Sequence, residues 1–316
     1  MTAAFPHRTV RVRTPATCAN LGPGFDSLGL ALAMYDEVTA RVTGDGIAVA
    51  VTGEGAGDLP TGPEHLVVRA MMAAFDELGG RPRGLVLTCV NRIPQARGLG
   101  SSSAAIVAGI LLARALVAGG DERMDTAGAL RLAAAFEGHP DNVAPCLLGG
   151  FTIAWTGPDG ARAVRLDPDP AVSPVVLVPT DRGLTCEARA ALPAAVPHRD
   201  AAANVGRAAL LVHALTAAPQ HLFPATEDLL HQPYRAAGAP ATAELVAGLR
   251  AAGVPAVVSG AGPTVLVLGR SGWVPPASDG WRVLPLAVDR AGAGIVRIPD
   301  TVEHAEQDAV AAGPAS

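Results

Sequence analysis

Pro94-Gln95-Ala96-Arg97-Gly98-Leu99-Gly100-Ser101-Ser102-Ser103-Ala104-Ala105 is the stretch on which the reading of this 316-residue chain turns. Residues 85–90 before it form a short extended run, and residues 106–117 after it a long apolar one. The order predicted is strand, glycine-bearing loop, then a helix whose first turn is serine. Such a turn leaves several N–H groups without partners, aimed the same way, with the positive end of the helix dipole behind them. Gly98 and Gly100 let the backbone come close to a bound group, and the serines add hydroxyls. That is an anion site, best suited to phosphate. Serine at a helix start is by itself ordinary capping, and Gly-x-Gly a common loop. The weight comes from two further Gly-rich segments, residues 15–26 and 259–264. No Gly-x4-Gly-Lys-Ser/Thr occurs, and no Gly-x-Gly-x-x-Gly follows a strand with an acid at the right distance, which disfavours P-loop and dinucleotide folds.

Composition narrows the class. Hydrophobic residues make up 49% of the chain and aromatics only 3%, so the core must be built from Ala, Val and Leu. The net charge of −5, with no basic run, argues against nucleic acid or an anionic membrane as partner. Cys18, Cys89, Cys146 and Cys186 are widely spread without Cys-x-x-Cys spacing, as buried free thiols in a reducing compartment would be. With no apolar signal core at the start and no uninterrupted membrane-length stretch, the expectation is a soluble cytoplasmic protein.

Along the chain, residues 10–14 alternate as a strand. Residues 38–43 and 47–52 flank Gly44-Asp45-Gly46 as a hairpin would. Residues 65–78 read as a helix stopped by Gly79-Gly80, and Asp125 caps another that runs to Glu137 and stops at Gly138-His139-Pro140. Strands are expected at 150–155, 175–178, 256–259 and 265–268, and helices at 201–215 and 241–252. The tail beyond Asp300 has the composition of a disordered segment. This mixed order predicts an α+β protein of two domains sharing a cleft rather than a doubly wound sheet.

Three segments now stand together: Pro15-Ala16-Thr17-Cys18-Ala19-Asn20-Leu21-Gly22-Pro23-Gly24-Phe25-Asp26-Ser27-Leu28-Gly29, the Gly-Leu-Gly-Ser-Ser-Ser loop, and Ser259-Gly260-Ala261-Gly262-Pro263-Thr264. In this order they resemble the three motifs of the GHMP small-molecule kinases. The first segment, with Glu137-Gly138-His139-Pro140-Asp141-Asn142, is similar to the homoserine branch of that family. The resemblance implies an N-terminal ribosomal-protein-S5-like domain, nucleotide-binding, over 1–165, and a C-terminal ferredoxin-like domain over 166–300, followed by the 301–316 tail. It also implies a left-handed β-α-β crossover, which periodicity does not reveal. The implied reaction is magnesium-dependent phosphoryl transfer from ATP to the side-chain hydroxyl of L-homoserine, a step of threonine biosynthesis. A GHMP kinase acting on another small alcohol is the alternative. Family members are often homodimers, which the residues here leave open.

The resemblance also assigns roles. Pro94, Gly98, Leu99, Gly100, Ser101, Ser102, Ser103 and Ala104, with Gly260 and Gly262, belong to the nucleotide site. Ser102 and Glu137 correspond to the magnesium ligands. A carboxylate at a helix C-terminus is disfavoured by the dipole, which a metal role would explain. Asp26 corresponds to the ligand of the acceptor's ammonium, and Arg189 and Arg235 to the clamp on its carboxylate, a task suited to forked guanidinium groups. His139 would lie beside the acceptor, with Asn20 on its hydroxyl or on a γ-phosphate oxygen. Relatives such as mevalonate kinase use a lysine in the first motif, and residues 15–26 contain none. Whether Asp141 or Asn142 faces the hydroxyl stays open. A loose transition state needs little of a base, so positioning and charge are expected to carry catalysis.

Overall fold

The computed structural model describes residues 3–183, 185–270 and 279–297; the 301–316 tail lies outside them. Strands β1 (Thr9–Ala19), β2 (Leu28–Thr43) and β3 (Gly46–Gly53) open the chain, followed by helix α1 (Leu66–Glu77) and β4 (Gly84–Asn91). Next come α2 (Ser101–Leu116), the short α3 (Gly120–Arg123), α4 (Thr126–Glu137), α5 (Pro140–Leu148), β5 (Phe151–Gly157) and β6 (Gly160–Leu166). The remainder is β7 (Val172–Pro179), α6 (Thr185–Ala190), α7 (His198–Thr216), α8 (Leu222–Ala225) and α9 (Gln232–Arg235). It ends with α10 (Pro240–Ala251), β8 (Ala256–Val258), β9 (Val265–Arg270), β10 (Trp281–Pro285) and β11 (Gly294–Val296).

Among the described residues the strands form a seven-stranded sheet, β11-β1-β2-β4-β3 with β5 on β2 and β6 on β5, and a four-stranded antiparallel sheet, β10-β7-β9-β8. The α+β class is as expected, but one reading changes. Gly44-Asp45-Gly46 does not close a hairpin, because β4 lies between β2 and β3, antiparallel to the first and parallel to the second. The β3 and β4 pair is thus a β-α-β unit through α1. The chain also returns to the first sheet at its end, where β11 pairs with β1.

β1 outruns its predicted five residues for a legible reason. Val10 and Val12 alternate inward, then the register shifts at Pro15/Ala16, where proline has no N–H to give the ladder. Beyond that bulge Ala16 to Ala19 are buried on both faces. α2 is buried nearly all round and packs on α1, α4, α5, β1 and β2, which makes it the axis of the core. β7 explains its own apolar run: Val176 and Val178 face the main core, while Val175 and Leu177 face a smaller cluster under α10. One core spans both sheets, so the cleft between them has a rigid floor.

Helix α5 was not anticipated. Gly138 ends α4 at φ 93°, and Pro140 opens α5 at the one helical position that suits proline. Pro145 inside α5 masks its periodicity. The bend at Gly138-His139 places Glu137 at the end of one helix and Asp141-Asn142 in the first turn of the next.

Candidate active site

The phosphate loop is built by three chain segments meeting. Gly98 and Gly100 adopt φ 74° and 70°. A Cβ on Gly98 would fall on the Ser259 and Gly262 carbonyl oxygens, and one on Gly100 on the Thr17 hydroxyl. Ser259 Oγ donates to Gly98 O (2.6 Å), Thr17 N to Leu99 O (3.0 Å) and Gly183 N to Ala96 O (2.8 Å). Arg97 is spent on carbonyls, donating to Pro179 O, Gln95 O and Thr180 O. The loop is braced from behind, and α2 opens at its tip with Gly100 as N-cap and no side-chain cap. N–H groups of the first turn stay available to an anion.

The three serines separate. Ser101 and Ser102 line the cleft, whereas Ser103 is wholly buried with its hydroxyl unpartnered. Successive helical residues turn by about 100°, so three in a row cannot share one face. The Ser103 side chain is turned into the core and is not among those lining the cleft. Ala104 N is taken by Gly100 O, and Pro94 and Leu99 are buried behind the loop. These three shape the loop from behind. Gly260 and Ala261 line the cleft, while Gly262 lies under the loop.

Every carboxylate in the cleft has a partner. Glu137 Oε1 accepts from Ser102 Oγ at 2.6 Å, which places the end of α4 against the positive start of α2 and offsets the dipole cost. Asp141, 2% exposed, sits 2.6 Å from His139 Nδ1. Burial pulls the His139 imidazole down, but the hydrogen bond and charge of Asp141 outweigh it and hold it above the ordinary histidine value. Asn142 Oδ1 accepts from the buried Thr17 hydroxyl at 2.8 Å, which aims its amide N–H₂ away from Thr17. Among the described residues no three His, Cys, Asp or Glu side chains gather as a metal cluster. The one carboxylate and one hydroxyl of Glu137 and Ser102 are a hard-oxygen pair.

Across the cleft, Arg189 donates to both Asp26 oxygens, at 2.7 and 3.1 Å, and that bond raises its basicity. Arg235 donates through Nε to Ala188 O (3.0 Å) and through Nη1 to His231 Nδ1 (3.1 Å); burial, then the Arg189 charge, lower its pKa. Both guanidinium groups lie over the Phe25 ring, 5.7 and 5.3 Å from its centroid. Asp26 N donates to Asn20 Oδ1 and Asn20 Nδ2 to Gly260 O, so Asn20 laces the first motif to the third. Asn20, Leu21 and Asp26 hold φ of 67°, 52° and 55°, a concentration of left-handed non-glycine residues that marks a constrained site. Asn20, Asp26, Glu137, His139, Asp141, Asn142, Arg189 and Arg235 all border one cleft. Thr17 and Phe25 lie in the first quoted segment, and Thr185 and His231 stand four residues before Arg189 and Arg235; the sequence assigns none of the four a role. Cys18, Cys89 and Cys146 are buried and Cys18 is pushed up to about 12 by burial, but Cys186 on α6 is exposed.

Residues 65–150 match the family described as GHMP kinases N terminal domain. The chain is similar to the homoserine kinase of Streptomyces avermitilis, 54% identical over 297 residues, 93% of this chain and 97% of that protein. It is 49% identical to the homoserine kinase of Leifsonia xyli over 96% of this chain and 97% of that one. Its structure is similar to the crystal structure of homoserine kinase from Cytophaga hutchinsonii, with TM-score 0.77 and 26% identity, covering 91% of this chain and 97% of that one.

Proposed function

The chain belongs to the GHMP kinases and, within them, to the homoserine kinases, and from that membership and the cleft we infer that it transfers the γ-phosphoryl group of ATP to the side-chain hydroxyl of L-homoserine. The observation that carries this reading is one cleft with a backbone anion cradle at one end and Asp26, Arg189 and Arg235 at the other. Homoserine offers an ammonium, a carboxylate and a hydroxyl, and the far end holds side chains of opposite sign for the first two.

At the donor end the N–H groups of Ser101 and Ser102 and the hydroxyl of Ser101 hold the phosphates. All 24 basic residues of the chain are arginine, and Arg97 is bound to carbonyls, so no lysine shares this work. Ser102 Oγ and Glu137 fit a magnesium ion, which takes few protein oxygens and leaves the rest to phosphate and water. When bound, that ion neutralises charge on the phosphate oxygens. Asn142, aimed by Thr17, and Asn20 hold the acceptor hydroxyl in line. Asp141 holds His139 rather than standing free as a base, and Glu137 and Asp26 are likewise engaged. Catalysis then rests on alignment and charge neutralisation, which a loose phosphoryl transition state rewards.

The test is ADP release from MgATP across L-homoserine, L-threonine, L-serine, mevalonate and shikimate. Saturable turnover with L-homoserine alone is expected. Turnover with a different alcohol instead would retract the assignment of Asp26, Arg189 and Arg235.

A further inference from the structure

The two arginines of the acceptor end are held in different ways. Arg235 is anchored. Its Nε and Nη1 are bound to Ala188 O, His231 Nδ1 and Gly260 O, and its Nη2 makes no hydrogen bond among the described residues. His231 fixes that pose: its Nε2–H donates to Gly22 O at 2.8 Å, which leaves Nδ1 as acceptor, and burial disfavours its protonation. Among the described residues the only hydrogen-bond partner of the Arg189 side chain is Asp26, the side chain assigned to the ammonium. Both members of that pair are 36% exposed, on the short helix α6 and on the turn after β1, so either can turn to a new partner.

We propose that the Asp26–Arg189 ion pair is a selectivity device: the acceptor binds by exchanging into it, and only a ligand with both charges can complete the exchange. This rests on the homoserine kinase reading above. The carboxylate takes Arg235 Nη2 and draws Arg189 off Asp26, and the released Asp26 takes the ammonium. One ion pair becomes two. An alcohol carrying a carboxylate alone strands Asp26, and one carrying an ammonium alone strands Arg189 beside Arg235. Leaving one partner of a pair uncompensated is the costly outcome, so the filter works by penalty as well as by attraction. A simple clamp, with Arg189 already committed to the carboxylate, contains no such penalty.

The exchange is read in variants that remove one partner of the pair. Asp26→Asn keeps the side-chain shape and a residue type tolerant of the left-handed backbone, but it releases Arg189. Binding of 4-hydroxybutanoate to the full chain with MgADP, measured by calorimetry, is expected to tighten about tenfold over wild type, the scale of a bidentate charge-assisted pair at a half-exposed site. L-homoserine binding weakens in the same variant. Arg189→Gln is the mirror test and does not depend on the first variant folding: it frees Asp26, and 3-aminopropan-1-ol binding should tighten. Unchanged or weaker binding of the single-charge ligand in both folded variants overturns the exchange. Wild-type turnover of L-homoserine, read alongside, separates this from the underlying reading: its absence sinks the kinase assignment, whereas turnover without either gain sinks the exchange alone.

Discussion

The two ends of the cleft are made of different material. The donor end is backbone: a glycine loop, the first turn of α2, and one serine against one glutamate. The end we assign to the acceptor is side chain: Asp26 from the turn after β1, Arg189 from α6 and Arg235 from α9, with Asp26 and Arg189 separated by 163 residues. Backbone donors cannot be exchanged for another specificity without rebuilding the loop, whereas side chains on short helices can. The difference suggests a chassis that keeps its donor chemistry while its acceptor is set by a few replaceable charges.

Substitutions can break that division, and the largest effect belongs to the donor end. Glu137→Gln keeps the contact to Ser102 but removes the charge, and turnover should fall by roughly 10²–10³-fold, as when a transition-state electrostatic contact is lost. Steady-state kinetics with saturating ATP and homoserine checks it. Gly98→Ala comes next. Its φ of 74° costs an L-residue about 1–2 kcal/mol, and its Cβ meets two carbonyls that brace the loop. A lower melting temperature and ATP binding weakened by about tenfold or more are expected, read by calorimetry.

At the acceptor end the effect should move to the other substrate. Arg235→Lys loses the fork that ties Ala188, His231 and the cleft together, so KM for homoserine should rise roughly 10- to 100-fold while KM for ATP stays put. A change in both constants would blur the two ends into one site. The smallest effect concerns Asp36, which accepts from Arg92 N and Ile93 N at the root of the phosphate loop and is raised to about 6, chiefly by burial. The folded chain therefore keeps this proton above the ordinary value of 3.8, and the stability that proton confers is lost as pH rises through that window. Asp36→Asn should flatten the fall in stability between about pH 4 and about pH 6, measured by urea unfolding.

Legibility followed the same division. The phosphate loop could be read from twelve consecutive residues because glycine φ, helix termini and dipoles are local properties. Asp125 as a cap and Gly79-Gly80 as a stop were legible for that reason, and both stand where expected. Long-range pairing was not. Nothing near Gly44-Asp45-Gly46 says that β4 will part the two strands it joins, or that residues 294–296 will return to β1. The helices that carry Arg189 and Arg235 have six and four residues, too short for a period to show. Their arginines stood out through resemblance to a family and not through any pattern in the chain. A run of identical residues hides which of them a helix turns inward, and the buried one is Ser103.

If charge and alignment, not a free base, drive the transfer, Asp141 can lose its charge at little cost to turnover. Turnover of Asp141→Asn should be measured beside Glu137→Gln at saturating MgATP and L-homoserine. Asparagine can still accept from His139, so the account predicts turnover within about tenfold of wild type, against the roughly 10²–10³-fold loss at Glu137. A fall at Asp141→Asn as deep as that at Glu137→Gln would make Asp141 the base and contradict the account.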